Sequence, residues 1–180
     1  MCSSDLAARV ARALAVAPPD LALNIGLCGA FDRARPLASV VQVVADELPE
    51  VGVEDGPVFR PATTVGLVAP DAFPYSRGRL HNAHPPASSA LAALPAVSGI
   101  TVNTVHGHDP SIALVSSRTA ADVETMEGAA FMYACLTAGI PFAQIRAVSN
   151  HVERRNRDNW RIPDALDALG HSLRSILDDL

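Results

Sequence analysis

Leu21-Ala22-Leu23-Asn24-Ile25-Gly26-Leu27-Cys28-Gly29-Ala30 is the stretch that decides the fold class. It is almost wholly apolar and runs into glycines, the pattern of a parallel strand buried on both faces; a strand with one wet face would alternate. Ahead of it, Ser4 or Asp5 caps a helix through Leu6, Val10, Ala13 and Leu14, which Pro18 and Pro19 end. Behind it, Val40 to Ala45 reads as a second buried strand. Pro57 to Pro86 is rich in Pro, Gly, Arg and His and reads as a long loop with one short strand near Val65 to Val68. A helix around Ser88 to Leu94 and a β-branched strand from Gly99 to Val105 follow. Thr119 then caps a long helix through Val123, Met126, Ala130, Tyr133 and Leu136, ended by Gly139 and Pro141. Phe142 to Val148 is another buried strand, and Leu166, Leu169, Leu173, Ile176 and Leu177 mark a closing amphipathic helix. This alternation specifies an α/β domain with a largely parallel sheet, whose ligands bind beyond the carboxyl ends of the strands.

Composition narrows the function. The 180 residues are 49% hydrophobic, 18% charged and 4% aromatic, as in one globular domain. All 14 basic residues are arginine, which excludes Schiff-base chemistry, pyridoxal phosphate attachment and a Walker lysine. A net charge of -5 has the wrong sign for a dedicated nucleic-acid binder. Cys2, Cys28 and Cys135 form neither a disulfide framework nor a thiolate zinc site. With no transmembrane run and no secretory signal, the expectation is a cytoplasmic protein that handles a small molecule and touches no membrane.

Three strand ends carry unusual residues: Gly26 to Ala30, Asn103-Thr104 with His106-Gly107-His108-Asp109, and Ser149-Asn150. Glu127 lies among small apolar residues, so its carboxylate needs an arginine, backbone donors or ligand hydroxyls. An internal salt bridge to Arg146 and a ligand contact are both open. The His106 to Asp109 cluster lacks further ligands at metal spacing, so it reads as a solvated turn and no metal is expected. Cys28 reads as a packing residue rather than a nucleophile, since no lysine is present to lower its pKa. Glu153 to Asp158 reads as a charged loop at the pocket rim, anchored by Trp160.

Met126-Glu127-Gly128-Ala129-Ala130, then Ile140-Pro141-Phe142 and Arg146-Ala147-Val148-Ser149-Asn150, resemble the nucleoside phosphorylase and nucleosidase superfamily. The fuller string Gln144 to Asn150, with Glu153, Arg155-Asn156-Arg157, Asn159-Trp160 and Ile162-Pro163, is similar to the futalosine hydrolases of the alternative menaquinone pathway. The resemblance implies a three-layer phosphorylase-like α/β domain with a largely parallel mixed central sheet, no cofactor, and a homo-oligomer. It implies Glu127 and Asn150 as catalytic residues: Glu127 binds the ribose 2'- and 3'-hydroxyls and stabilises the oxocarbenium-like sugar, and Asn150 donates a hydrogen bond to a 6-oxopurine, hypoxanthine.

Met126 would pack beneath the sugar, Cys28 and Gly29 would offer backbone contacts, and Asn103 and Thr104 would line the pocket. Arg77 and Arg79 would pair with the carboxylate of the 5' substituent. Leu27 stands where phosphorolytic relatives hold phosphate with a hydroxyl, which favours water as nucleophile. The resemblance further implies a strand, carrying the water-activating acid, ahead of the first helix. The expectation is therefore that residues 1–180 form one domain with its N-terminal strands missing, leaving an exposed apolar edge. A nucleosidase or phosphorylase for another purine nucleoside, such as methylthioadenosine or S-adenosylhomocysteine, and a noncatalytic nucleoside-binding module are the alternatives.

Overall fold

The computed structural model describes residues 3–180. Their order is α1 (Ser3–Val16), β1 (Ala22–Ala30), β2 (Val40–Glu47), β3 (Gly52–Asp55), β4 (Val58–Pro61), β5 (Leu80–His81), α2 (Ser89–Ala92), β6 (Ala96–Thr101), α3 (Asp109–Arg118), β7 (Val123–Thr125), α4 (Gly128–Ala138), β8 (Phe142–His151) and α5 (Ile162–Leu177), with a 3-10 turn at Arg157–Asn159 before the last helix.

The main sheet runs β5-β2-β6-β7-β1-β8, and β8 also pairs with β2, so the sheet curls back on itself. β1 with β8, β2 with β6 and β6 with β7 are parallel. The shorter pairings of β7 with β1, of β5 with β2 and of β8 with β2 are antiparallel. β3 and β4 form a separate hairpin.

Alternation along β8 divides the layers. Phe142 joins Leu14, Ala129, Phe131, Met132 and Cys135 under α1 and α4. Ala143, Ile145 and Ala147 join Leu91, Ala165, Leu169 and Ile176 under α2 and α5. Cys28, Ala30, Val41, Val43, Val97, Val123 and Val148 form a third cluster from the sheet strands themselves. Helices on both sides of a mixed sheet give the three-layer α/β arrangement that the alternating elements imply.

Several boundaries differ from the expectation. Thr119 closes α3 instead of opening a long helix, and Val123–Thr125 is a strand between Gly29-Ala30 and Gly99–Thr101. Val65–Val68 is a turn, fixed by Leu67 and Val68 amides donating to the Ala62 carbonyl and by Gly66 at φ 76°. β6 runs from Ala96 to Thr101, earlier than the expected strand from Gly99 to Val105, so Asn103 and Thr104 lie beyond it. β1 is only partly buried, and Ile25 is 44% exposed. The cause is its pairing: β8 lines β1 along its length, whereas β7 pairs only with Gly29 and Ala30. Among the described residues, no strand pairs the other edge of Ala22–Cys28.

Candidate active site

The carboxyl ends of β1 and β8 meet the β7 to α4 junction around a cavity of about 450 Å³. Asn24 to Gly29, Val105 to Gly107, Glu124 to Glu127, Arg146, Ser149 to His151, and then Glu153, Arg155 and Trp160 line it.

Glu127 sits at the N-cap of α4 yet makes no capping hydrogen bond. The first amides of that helix are satisfied elsewhere: Gly128 N–H donates to Thr125 Oγ1 at 3.2 Å and Ala129 N–H to Thr101 Oγ1 at 2.7 Å. The Thr101 hydroxyl in turn donates to Asp46 Oδ1 at 2.9 Å, and Gln144 Nε2 donates to Asp46 Oδ2 at 3.3 Å. Burial pushes the Asp46 carboxyl up to about 7, against the opposing effect of these donors. A Cβ at residue 128 would overlap the Asp46 carboxylate, so only glycine lets α4 begin this close to β2.

This seating frees the Glu127 side chain. Its Oε2 lies 3.6 Å from Arg146 Nη1, an ion-pair contact longer than a hydrogen bond, and the side chain remains 36% exposed at the cavity. Arg146 is buried and donates to Asn24 Oδ1 at 3.0 Å. Burial lowers its pKa, and the Glu127 charge opposes that shift. Gly26 is the residue β1 places beside Arg146, and any Cβ there would overlap the guanidinium. Arg146 thus backs the carboxylate from one side, and on the other the carboxylate faces the cavity.

At the end of β8, the Ser149 hydroxyl donates to Asn150 Oδ1 at 2.8 Å, and Asn150 Nδ2 donates to the His151 carbonyl at 3.0 Å. This orients the amide with its oxygen occupied and leaves one N–H of Nδ2 for a ligand acceptor. Met126 lines the cavity next to Glu127, and Cys28 and Gly29 line it from β1. The Cys28 thiol faces the Ala147 carbonyl at 3.7 Å, and burial pushes it up to about 12, so it packs rather than attacks.

Residues 2–178 match the family model described as the phosphorylase superfamily. The chain belongs to that superfamily. It is 32% identical over 165 residues to a futalosine hydrolase of Thermus thermophilus, covering 89% of this chain and 70% of that protein. It is 34% identical over 155 residues to a futalosine hydrolase of Streptomyces coelicolor, covering 84% of this chain and 63% of that one. The fold superposes on the futalosine hydrolase of Helicobacter pylori with a TM-score of 0.77 at 14% identity, covering 100% of this chain and 77% of that one. It superposes equally, TM-score 0.77 at 18% identity, on a methylthioadenosine/S-adenosylhomocysteine nucleosidase of Colwellia psychrerythraea bound to adenine, covering 100% and 75%.

Of the residues expected in a superfamily pocket, the structure gathers Cys28, Gly29, Met126, Glu127 and Asn150 around this cavity. It does not bring the others there. Asn103 is exposed, with its N–H on Glu50 and its side-chain oxygen accepting from Ser3, and Thr104 is exposed beside it. Arg77 lines a second cavity of about 190 Å³ with Phe59 and Tyr75, and Arg79 lies 3.7 Å from Glu47. Asn103, Thr104, Arg77 and Arg79 thus stand outside the lining of this cavity; for the first pair the cause is the early end of β6 at Thr101, which leaves Val105 to Gly107 to reach it.

The loop after β8 is tied down as expected. Glu153 accepts from Asn159 at 2.9 Å and pairs with Arg33, contacts that hold its carboxyl below the usual range. The Arg155 and Arg157 guanidinium groups each lie 5.9 Å from the centre of the Trp160 ring. His108 occupies the N-cap position of α3 without a side-chain capping hydrogen bond, and among the described residues no group of three or more His, Cys, Asp or Glu side chains could hold a metal. No described helix is long and apolar enough to cross a membrane.

Glu124 is a further cavity residue, outside those that the sequence pattern singles out. Its carboxylate accepts the His106 N–H at 2.9 Å and makes a short contact with His106 Nδ1. A carboxylate between Val123 and Thr125 was the available signal, by the reasoning that singled out Glu127.

Proposed function

We propose that this cavity hydrolyses the N-glycosidic bond of futalosine, releasing hypoxanthine and dehypoxanthine futalosine, a step of menaquinone biosynthesis. One observation carries the reading: Glu127 presents a carboxylate to the cavity with Arg146 behind it and, among the described residues, no hydrogen bond to its side chain. Two acceptor oxygens in that state suit the vicinal hydroxyls of a ribose. As the glycosidic bond breaks, positive charge grows on the sugar, and a fixed anion beside it lowers the barrier.

Met126 gives the sugar an apolar floor, and the oriented Asn150 amide donates to N7 or O6 of a 6-oxopurine. Leu27 at the cavity wall has no group with which to hold phosphate, which favours water as nucleophile. The same proposal takes residues 1–180 as one domain and expects a cytoplasmic homo-oligomer. Scattering mass measurements test the last point.

The test offers futalosine, inosine and 5'-methylthioadenosine separately to the purified protein, with and without phosphate, and follows base release by chromatography. Hypoxanthine release from futalosine, independent of phosphate, is the expected outcome. Preferential adenine release would favour the adenine-nucleosidase alternative, a phosphate requirement would favour a phosphorylase, and binding without release would leave only a nucleoside-binding module.

A further inference from the structure

His106 and Glu124 both line the cavity, and the reading above gives neither a role. Glu124 lies on β7 with its side chain 4% exposed, and it grips His106 twice, at the backbone N–H and at Nδ1 of the ring. Two contacts from one buried carboxylate fix both the position and the rotation of the imidazole. With Nδ1 committed to Glu124, only Nε2 remains to act, and among the described residues it has no hydrogen-bond partner. A carboxylate-held imidazole with one free nitrogen at a cavity wall is the arrangement of a proton-transfer group.

The reaction needs such a group. A purine leaving as an anion is a poor leaving group, and protonation of a ring nitrogen turns it into a neutral one. Asn150 can hydrogen-bond the base but cannot release a proton. Arg146 and Arg155 keep theirs. The Cys28 thiol is buried and pushed up to about 12, and the Ser149 hydroxyl is committed to Asn150. His151 also lines the cavity, but its Nε2 is committed to the Arg35 carbonyl at 3.1 Å, which leaves His106 as the imidazole whose Nε2 is unpartnered among the described residues.

We propose that His106, oriented by Glu124, donates a proton from Nε2 to a ring nitrogen of the departing purine. The proposal rests on the hydrolase reading of this cavity. In the step, the electron pair of the bond between the sugar C1' and the purine N9 withdraws into the purine as the purine takes the proton, and hypoxanthine leaves neutral. Water forms the new bond to C1' and releases one proton to solvent. Solvent returns a proton to His106. The sum is one water divided across one glycosidic bond. Glu124 is a positioning residue that holds Nδ1.

The test compares His106→Gln and Glu124→Gln with the unaltered protein on two substrates, futalosine and p-nitrophenyl ribofuranoside. The nitrophenolate leaves without needing a proton, so it isolates acid catalysis from sugar binding. His106→Gln should lower kcat on futalosine by about 100-fold or more, the usual scale of general acid catalysis, while cleavage of the nitrophenyl substrate stays within about threefold. Glu124→Gln should show a smaller loss, about tenfold, again confined to futalosine. Equal losses on both substrates would mean that the pair only supports the cavity wall and would overturn the proposal. Unchanged turnover of both would overturn it as well. If the unaltered protein releases no hypoxanthine, the hydrolase reading itself fails and the donor role falls with it; a variant-specific result leaves that reading standing.

Discussion

Asp46→Asn should make this protein more stable at neutral and alkaline pH, the reverse of the usual effect of disturbing a buried polar network. Asp46 is fully buried, its carboxyl pushed up to about 7 from 3.8, with burial as the largest cause. Because the folded-state value lies above the unfolded one, the fold favours the protonated form. The contribution is complete below about pH 4 and is lost as pH rises to about 7. Each tenfold ratio between the two dissociation constants is worth about 1.4 kcal/mol, so the loss between about pH 4.5 and pH 8 is about 3 kcal/mol. An asparagine keeps the acceptor for Thr101. Its new N–H group meets Gln144 once that amide turns over, and Gln144 Oε1 is buried without a partner. Urea denaturation of both proteins at the two pH values supplies the measurement. The stability difference between variant and wild type should shift by about 3 kcal/mol in favour of the variant as pH rises. A difference that does not change with pH would refute the claim that Asp46 retains its proton in the fold.

Three further outcomes follow from the site. Glu127→Gln should fold normally and lower kcat on futalosine by about two orders of magnitude, since it removes an anion that acts on the transition state; near-normal turnover would reduce Glu127 to a companion of Arg146. Asn150→Asp should move the preference from hypoxanthine towards adenine nucleosides, because an acid can protonate N7 while a carboxylate repels O6; a kcat/KM ratio for inosine and adenosine that does not move would show that another residue reads the base. Replacing Arg77 and Arg79 together by alanine should affect futalosine and inosine alike, because neither arginine lines the cavity that holds Glu127. A rise in KM for futalosine alone would show that the second cavity, where Arg77 lies, receives the 5' substituent.

The parts of the fold legible from sequence are those with strong local signals. β1 is a largely apolar run, β8 is apolar from Phe142 to Val148 apart from Gln144 and Arg146, and Gly139 ends α4 in the left-handed conformation at φ 67°, with its N–H on the Cys135 and Leu136 carbonyls. β7 escaped because three residues are too few to show a period, and its strand state comes from the neighbours on either side, Gly29-Ala30 and Gly99–Thr101. Thr119 misled because a residue suited to open a helix can equally follow one. Asp109, Pro110 and Arg118 carried the correct boundary signals for α3.

At the cavity, Glu127 stands out among small apolar residues and Ser149-Asn150 as a polar pair at a strand end, while the roles given to Glu127 and Asn150 come from the superfamily resemblance. Asn103 and Thr104 stand near the end of an apolar β-branched stretch, but the strand itself ends at Thr101. The His106–Glu124 pair spans eighteen positions and is created by the loop after β6 returning to β7, a contact that no local pattern encodes. Glu124 nonetheless sits between two buried β-branched residues, and a buried carboxylate always requires a partner.

The most direct test of the central claim is a crystal structure of the protein with hypoxanthine and ribose bound together. The account predicts the purine in the first cavity with Asn150 Nδ2 on N7 or O6, and the ribose 2'- and 3'-hydroxyls within hydrogen-bond distance of Glu127. A purine seated elsewhere, or a sugar out of reach of the Glu127 carboxylate, would contradict it.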